Sequence, residues 1–246
     1  MRYRATIAYD GTDFFGWQTQ TGNGRTVQET LRDVLRTIVR EPLLVLGAGR
    51  TDSGVHANGQ VIAFDTEVPL RDLDRVVWSA NCILPPDIVV RDMELVADDF
   101  DPRRDAVCRA YKYRIWNERR PSPTERRTAW HVRFPLDLDA MTEAAQVFVG
   151  RHDFASFQGS DRIERPSVRR VGRSEPVRDG PLITYWIEAN AYARHMVRNI
   201  VGQLVDVGRG RCTVDELRAI LDARDRTKAA APAPPQGLFL EWVRYE

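Results

Sequence analysis

The same order of hydrophobic periodicities runs twice along this chain of 246 residues. In the first half, residues 2–9 alternate, with Tyr3, Ile7 and Tyr9 on one side and Arg2, Arg4 and Thr6 on the other. That is the pattern of a strand with one buried face. Thr26 and Glu29 have the spacing of a capping box, and Val27, Leu31, Val34, Leu35 and Ile38 follow at helical intervals. A strand over 61–65, a helix over about 70–83 stopped by Pro85-Pro86, and a strand over 88–95 complete the half. The second half has a strand over 110–116 and a helix over 139–149, with Gly150 placed as its stop. A long strand over 182–191 leads into a helix over 194–207, periodic in Met196, Ile200 and Leu204. Thr213 and Glu216 form a second capping box, opening a helix that carries Leu217, Ile220 and Leu221, and residues 238–245 close as a strand. Short strands interleaved with one-faced helices predict an α+β class. Two similar domains with antiparallel sheets and helices on one face are expected, residues 1–104 and 105–246.

Residues 117–127 and 158–168, with prolines and mixed charges, read as loops able to carry binding residues over a rigid scaffold. Residues 228–236, rich in Ala and Pro, read as a linker rather than a helix.

Composition excludes several classes. No apolar run approaches the roughly 20 residues that span a bilayer. The first ten residues already alternate like a strand, so no signal peptide is expected and the cytoplasm is the expected location. Cys82, Cys108 and Cys212 are far apart, and the four histidines are scattered, which predicts neither a disulfide framework nor a structural metal. The net charge of +1 conceals an asymmetry: residues 1–100 sum to −5 and the remainder to +6. Of 36 basic residues 34 are Arg, clustered over 101–134 and 162–178. Guanidinium forks pair with phosphate oxygens and stack on bases, so these clusters suit a polyanion such as RNA.

One motif carries candidate chemistry. In Gly49-Arg50-Thr51-Asp52-Ser53-Gly54-Val55-His56-Ala57, two glycines bracket a carboxylate two residues after a cation. Glycine permits tight turns and close approach of a ligand. An ionised, accessible Asp on such a loop can act as nucleophile or base.

This nonapeptide resembles the active-site loop of the tRNA pseudouridine synthase A (TruA) family. Tyr9-Asp10-Gly11-Thr12 with Gly16-Trp17-Gln18, Thr26-Val27-Gln28, and Arg109-Ala110-Tyr111-Lys112-Tyr113 resemble further family blocks in the family's order. So do Gly150-Arg151-His152-Asp153-Phe154, the run from His195 to Gly202, and Ala233-Pro234-Pro235 with Gly237-Leu238. The resemblance implies two similar domains whose sheets join across a central cleft. It implies isomerisation of uridine to pseudouridine at positions 38, 39 and 40 of the tRNA anticodon stem-loop, by a homodimer. The reaction breaks the N1–C1′ bond, turns the uracil and joins C5 to C1′, so neither cofactor nor metal is needed. By resemblance Asp52 is the catalytic carboxylate, attacking ribose or base or starting an elimination. Arg198 is its charge partner, with Arg194 expected on the same helix face, and Tyr111 stacks on the target base. Arg50 binds phosphate or holds the loop, and Leu238 lines the pocket.

Two positions depart from the family pattern. Thr124 stands where an aromatic is usual, and Ala193-Arg194 replaces a larger apolar residue and a His. A similarly folded but inactive RNA-binding module is the competing expectation; the joint presence of Asp52, Tyr111 and Arg198 weighs against it. An RNA-modifying enzyme using a metal or methyl donor would need a ligand cluster or glycine fingerprint that the sequence lacks.

Overall fold

The structure, a computed structural model, describes residues 1–19, 24–159 and 167–246. The chain is α+β and divides into two compact units, Met1–Val107 with Phe239–Glu246, and Cys108–Leu238. The sequence expectation set the boundary near 104 and ran the second domain to the C-terminus.

In the first unit the elements are β1 (Arg2–Tyr9), α1 (Val27–Val39), β2 (Leu46–Gly47), β3 (His56–Asp65), α2 (Leu73–Ile83) and β4 (Ile88–Val96). The last strand of the chain, β10 (Leu238–Arg244), joins them. The strand order is β4-β1-β3-β10, with β2 pairing on β3. β1 runs antiparallel to β3 and β4, and β10 runs parallel to β3, with Phe239 opposite His56 and Leu240 opposite Ala57. Tyr3, Ala5, Ile7 and Tyr9 are the buried alternate residues of β1, and α1 buries Val27, Leu31, Val34 and Leu35. Those are the faces that the periodicity predicted. Residue 59 can only be small, because a Cβ on Gly59 would stand 2.5 Å from the Glu241 carbonyl oxygen in β10.

The second unit contains β5 (Cys108–Trp116), β6 (Trp130–His131), α3 (Leu138–Gln146), β7 (Gly150–Asp153), β8 (Val168–Asp179), β9 (Leu182–Ala189), α4 (Met196–Gly208) and α5 (Val214–Ala223). Its strand order is β5-β9-β8-β7, antiparallel throughout, with β6 parallel to β5. Tyr113 and Ile115 face Tyr185 and Ile183 across β5 and β9, and all four are buried. Met141, Ile200, Val201, Leu204 and Leu217 bury the helices, beside the aromatic cluster of Phe148, Phe154 and Phe157.

Several expectations are corrected here. The element order does not repeat, because β7 and β8 are additional strands. In β8 the buried positions are Val171, Ser174 and Pro176, and a register shift between Val171 and Arg173 breaks the period of two. Arginines, a glycine and a proline thus concealed a strand. The helix expected over 139–149 is Leu138–Gln146, and Gly150, at φ +109°, opens β7 instead of stopping the helix. The expected loop over 117–127 contains no strand or helix; that over 158–168 lies mostly outside the described residues. The Thr213 capping box forms, with Glu216 N donating to Thr213 Oγ1 and Thr213 N to Glu216 Oε2. The Thr26 box does not. The first α1 amides are taken elsewhere: Val27 N donates to Gly16 O and Gln28 N to Trp17 O. The Thr26 hydroxyl is left buried without a partner. Cys82, Cys108 and Cys212 are not in disulfides. Among the described residues no helix is long and apolar enough to cross a membrane.

Candidate active site

The Asp52 motif is the turn of the β2–β3 hairpin. Leu46 pairs with Ala63 and Gly47 with Ile62, and Ala48 N donates to Val61 O. The ladder then continues through a side chain, as the buried Gln60 donates from Nε2 to Gly49 O at 2.8 Å. Beyond that point the chain leaves its own strand, and its support comes from the segment after β1.

Blocks that are distant in sequence converge on this turn. Tyr9 and Thr51 share a hydroxyl–hydroxyl bond of 2.8 Å, and Trp17 N donates to Thr51 O at 3.0 Å. Ser53 Oγ donates to Phe14 O at 3.0 Å, and Val55 N closes a turn onto Asp52 O at 3.1 Å. Gly11 N donates to Nδ1 of the buried His56 at 3.1 Å, and the His56 ring stacks on Phe239 with centroids 4.5 Å apart. Contact with the glycines is closer still. A Cβ on Gly11 would lie 2.0 Å from Val55 O, and one on Gly16, whose φ is +85°, would lie 2.9 Å from Thr51 O. Gly47 likewise lies against the Trp17 ring. Tyr9, Gly11, Gly16 and Trp17 therefore form a cradle that fixes both flanks of Asp52. Thr51 and Val55 are buried, Asp52 is half-buried, and Ser53 and Arg50 are exposed. One carboxylate is thus presented at the surface on an immobilised backbone, which suits a nucleophile or base that must not wander.

Tyr111, Arg198 and Leu238 belong to the second unit. Tyr111 lies on the same face of β5 as Arg109, Tyr113 and Ile115, opposite Ile187 of β9. Its ring meets the edge of Tyr192 at a centroid distance of 4.8 Å, with the rings 77° apart. The Tyr192 hydroxyl donates to the carbonyls of Arg109 and Ile187, and burial raises its pKa well above the ordinary tyrosine value. It remains a neutral donor and ties β5, which carries Tyr111, to the neighbouring β9. Tyr113, also pushed up by burial, donates to Pro234 O at 2.7 Å, with the Arg198 charge acting in the opposite sense. Leu238 is buried at the start of β10.

Arg198 is half-buried in the first turn of α4, and its Nε donates to Ala233 O at 2.7 Å. Arg194 is not on that helix. His195, at φ +60°, is the N-cap, and α4 begins at Met196, so the expected Arg194–Arg198 helical face does not exist. Asn199 anchors the same turn, donating from Nδ2 to Phe157 O and accepting from Arg226 at Oδ1. Residues 229–234 are no linker either: Ala233 is buried, and the segment is hydrogen-bonded to α4. Gln60, Tyr192 and Asn199 are the supports that sequence reasoning did not single out. Gln60 had one available signal, as a polar residue at an inward position of an apolar strand.

Residues 5–103 and 144–246 match the family described as tRNA pseudouridine synthase. The tRNA pseudouridine synthase A of Myxococcus xanthus is 42% identical over 246 residues, covering 99% of this chain and 92% of that protein. That of Lactococcus lactis subsp. lactis is 40% identical over 246 residues, with 99% and 97% covered. That of Moorella thermoacetica is 41% identical over 243 residues, with 98% of each covered. The chain belongs to the tRNA pseudouridine synthase family, whose members are isomerases acting on uridine in tRNA. Its full-length similarity to the A-type synthases places it in the TruA branch.

Proposed function

We propose that this isomerase converts uridine to pseudouridine at positions 38, 39 and 40 of the tRNA anticodon stem-loop, with Asp52 as the catalytic carboxylate. The observation that carries the reading is the cradle: Tyr9, Gly11, Gly16 and Trp17, from the end of β1 and the segment after it, hold the flanks of one half-exposed Asp. Asp52 attacks ribose or base, or initiates elimination, and the detached uracil is turned and rejoined through C5. In this reading Tyr111 supplies the face on which the target base stacks, and its fixed ring limits where that base can lie. Arg198 is the charge partner of the carboxylate in this reading. Arg50, exposed beside Asp52, contacts a backbone phosphate, and Leu238 contributes an apolar wall.

The target base must leave its stack, at a cost of a few kcal/mol that binding elsewhere on the tRNA offsets. We place that binding on the arginine clusters of a homodimer working in the cytoplasm, one subunit holding the tRNA body while the other receives the stem-loop. Mapping pseudouridine in an unmodified tRNA transcript after incubation with the protein tests the site assignment. Product confined to positions 38, 39 and 40 is expected, and modification outside the anticodon stem-loop contradicts it.

A further inference from the structure

The segment 229–237 lies across α4 and β5 as a strap, and its contacts converge on Arg198. One strap residue holds this arginine twice. Ala233 N donates to Arg198 O at 2.9 Å, and Arg198 Nε donates to Ala233 O at 2.7 Å. A guanidinium is planar, so fixing the direction of its Nε–H fixes the plane in which the remaining N–H groups point.

The next turn of α4 sets where the strap can lie. Gln203, which is buried, accepts from Ala230 N at 2.9 Å. A Cβ on Gly202 would stand 2.2 Å from Ala231 O, so no side chain fits between helix and strap there. Glycine within a helix is less favourable than alanine and calls for a packing reason; the Ala231 carbonyl supplies it. At its far end the strap is tied to β5, with Tyr113 Oη donating to Pro234 O and Gly237 seated on the Tyr113 ring.

We propose that Gly202 and Gln203 are positioning residues of the isomerisation. They set the depth of the strap, and the strap's Ala233 carbonyl aims the Arg198 guanidinium. The proposal rests on the reading of Arg198 as a substrate-site residue. Gly202 and Gln203 themselves touch no substrate.

The test is a double-mutant cycle on the full-length protein, reading single-turnover conversion of an unmodified tRNA transcript alongside tRNA affinity and thermal melting. Gly202→Ala and Gln203→Met are each made alone and with Arg198→Lys, which keeps the charge but has no Nε–H for Ala233. Gly202→Ala is expected to slow conversion by at least about tenfold, and Gln203→Met, which keeps the volume and removes the acceptor, by about threefold or more. In the Arg198→Lys background both effects should shrink below about twofold, because the strap no longer has a guanidinium to aim. A purely structural role would give the same loss in both backgrounds, and that result overturns the proposal. So does an unchanged rate in the wild-type background. Should Gly202→Ala fail to fold, Gln203→Met carries the cycle alone. Wild-type conversion and affinity in Arg198→Lys and Arg198→Gln would remove the reading of Arg198 itself, an outcome visible separately from the cycle.

Discussion

Gly11→Ala perturbs the cradle at its tightest point. The added methyl would sit 2.0 Å from Val55 O and 2.6 Å from Val55 C, whereas ordinary contact begins near 3.4 Å, so the two backbones must part by about 1.4 Å. Neither side yields easily. Gly11 N is bonded to His56 Nδ1, and Val55 N is bonded to Asp52 O in the turn that presents the carboxylate. Overpacking of this kind destabilises by typically 1–3 kcal/mol. The kinetic effect should be larger, because displacement of a catalytic group by about 1 Å can lower a rate on the order of 100-fold. The assay is tritium release from 5-tritiated uridine in an unmodified transcript under single turnover, with tRNA affinity and thermal melting measured on the same protein. Affinity should stay within a few fold, since most phosphate contacts are expected on the arginine clusters rather than on this loop. Gly172→Ala, where a Cβ meets nothing within 4 Å, is the control and should change none of these quantities. A Gly11→Ala protein with wild-type rate and melting would refute the cradle as the device that positions Asp52.

The two threonines at helix starts should behave oppositely. Thr213→Val removes a formed capping box and should cost about 1 kcal/mol by urea denaturation, whereas Thr26→Val replaces a buried, unpartnered hydroxyl and should be neutral or stabilising; equal losses would contradict this. Arg169 and Arg170 follow Val168 at the start of β8, Arg170 directly opposite Arg151, and burial lowers the pKa of Arg169. Replacing both with Gln should flatten the dependence of tRNA affinity on salt, and an unchanged slope would return the patch to ordinary surface. Light scattering at assay concentration should give the mass of a dimer, and a fully active species of monomer mass would remove the cross-subunit arrangement.

Much of the fold could be read from periodicity where one face is buried against a regular partner. β1, α1 and β9 carry clean patterns because their apolar residues recur at a single period. β8 was hidden because its irregularity at Val171/Arg173 shifts the apolar residues out of phase, and because only its first residues are covered by β7. α4 was begun two residues early because nothing local reveals that His195 adopts a left-handed backbone. Thr26 shows the limit of cap signals: the spacing was right, but the tertiary fold brings the carbonyls of Gly16 and Trp17 to the first two amides of α1, and the box does not form. The candidate site was legible as residues and illegible as support. Asp52 stands out between its glycines, yet that Gly11 and Gly16 exist to let its backbone pass requires coordinates. Residues 229–234 look like a linker from composition because a strap held by main-chain bonds leaves little trace in side-chain identity.

Asp52→Asn tests the central claim most directly. The substitution keeps the size of the side chain and the backbone that the cradle holds, and removes the charge on which nucleophilic or basic action depends. Tritium release from 5-tritiated uridine should fall to background over many turnovers, while tRNA affinity stays within a few fold of wild type. Multiple-turnover formation of pseudouridine by Asp52→Asn, measured on protein shown to be free of wild-type enzyme, would contradict the account.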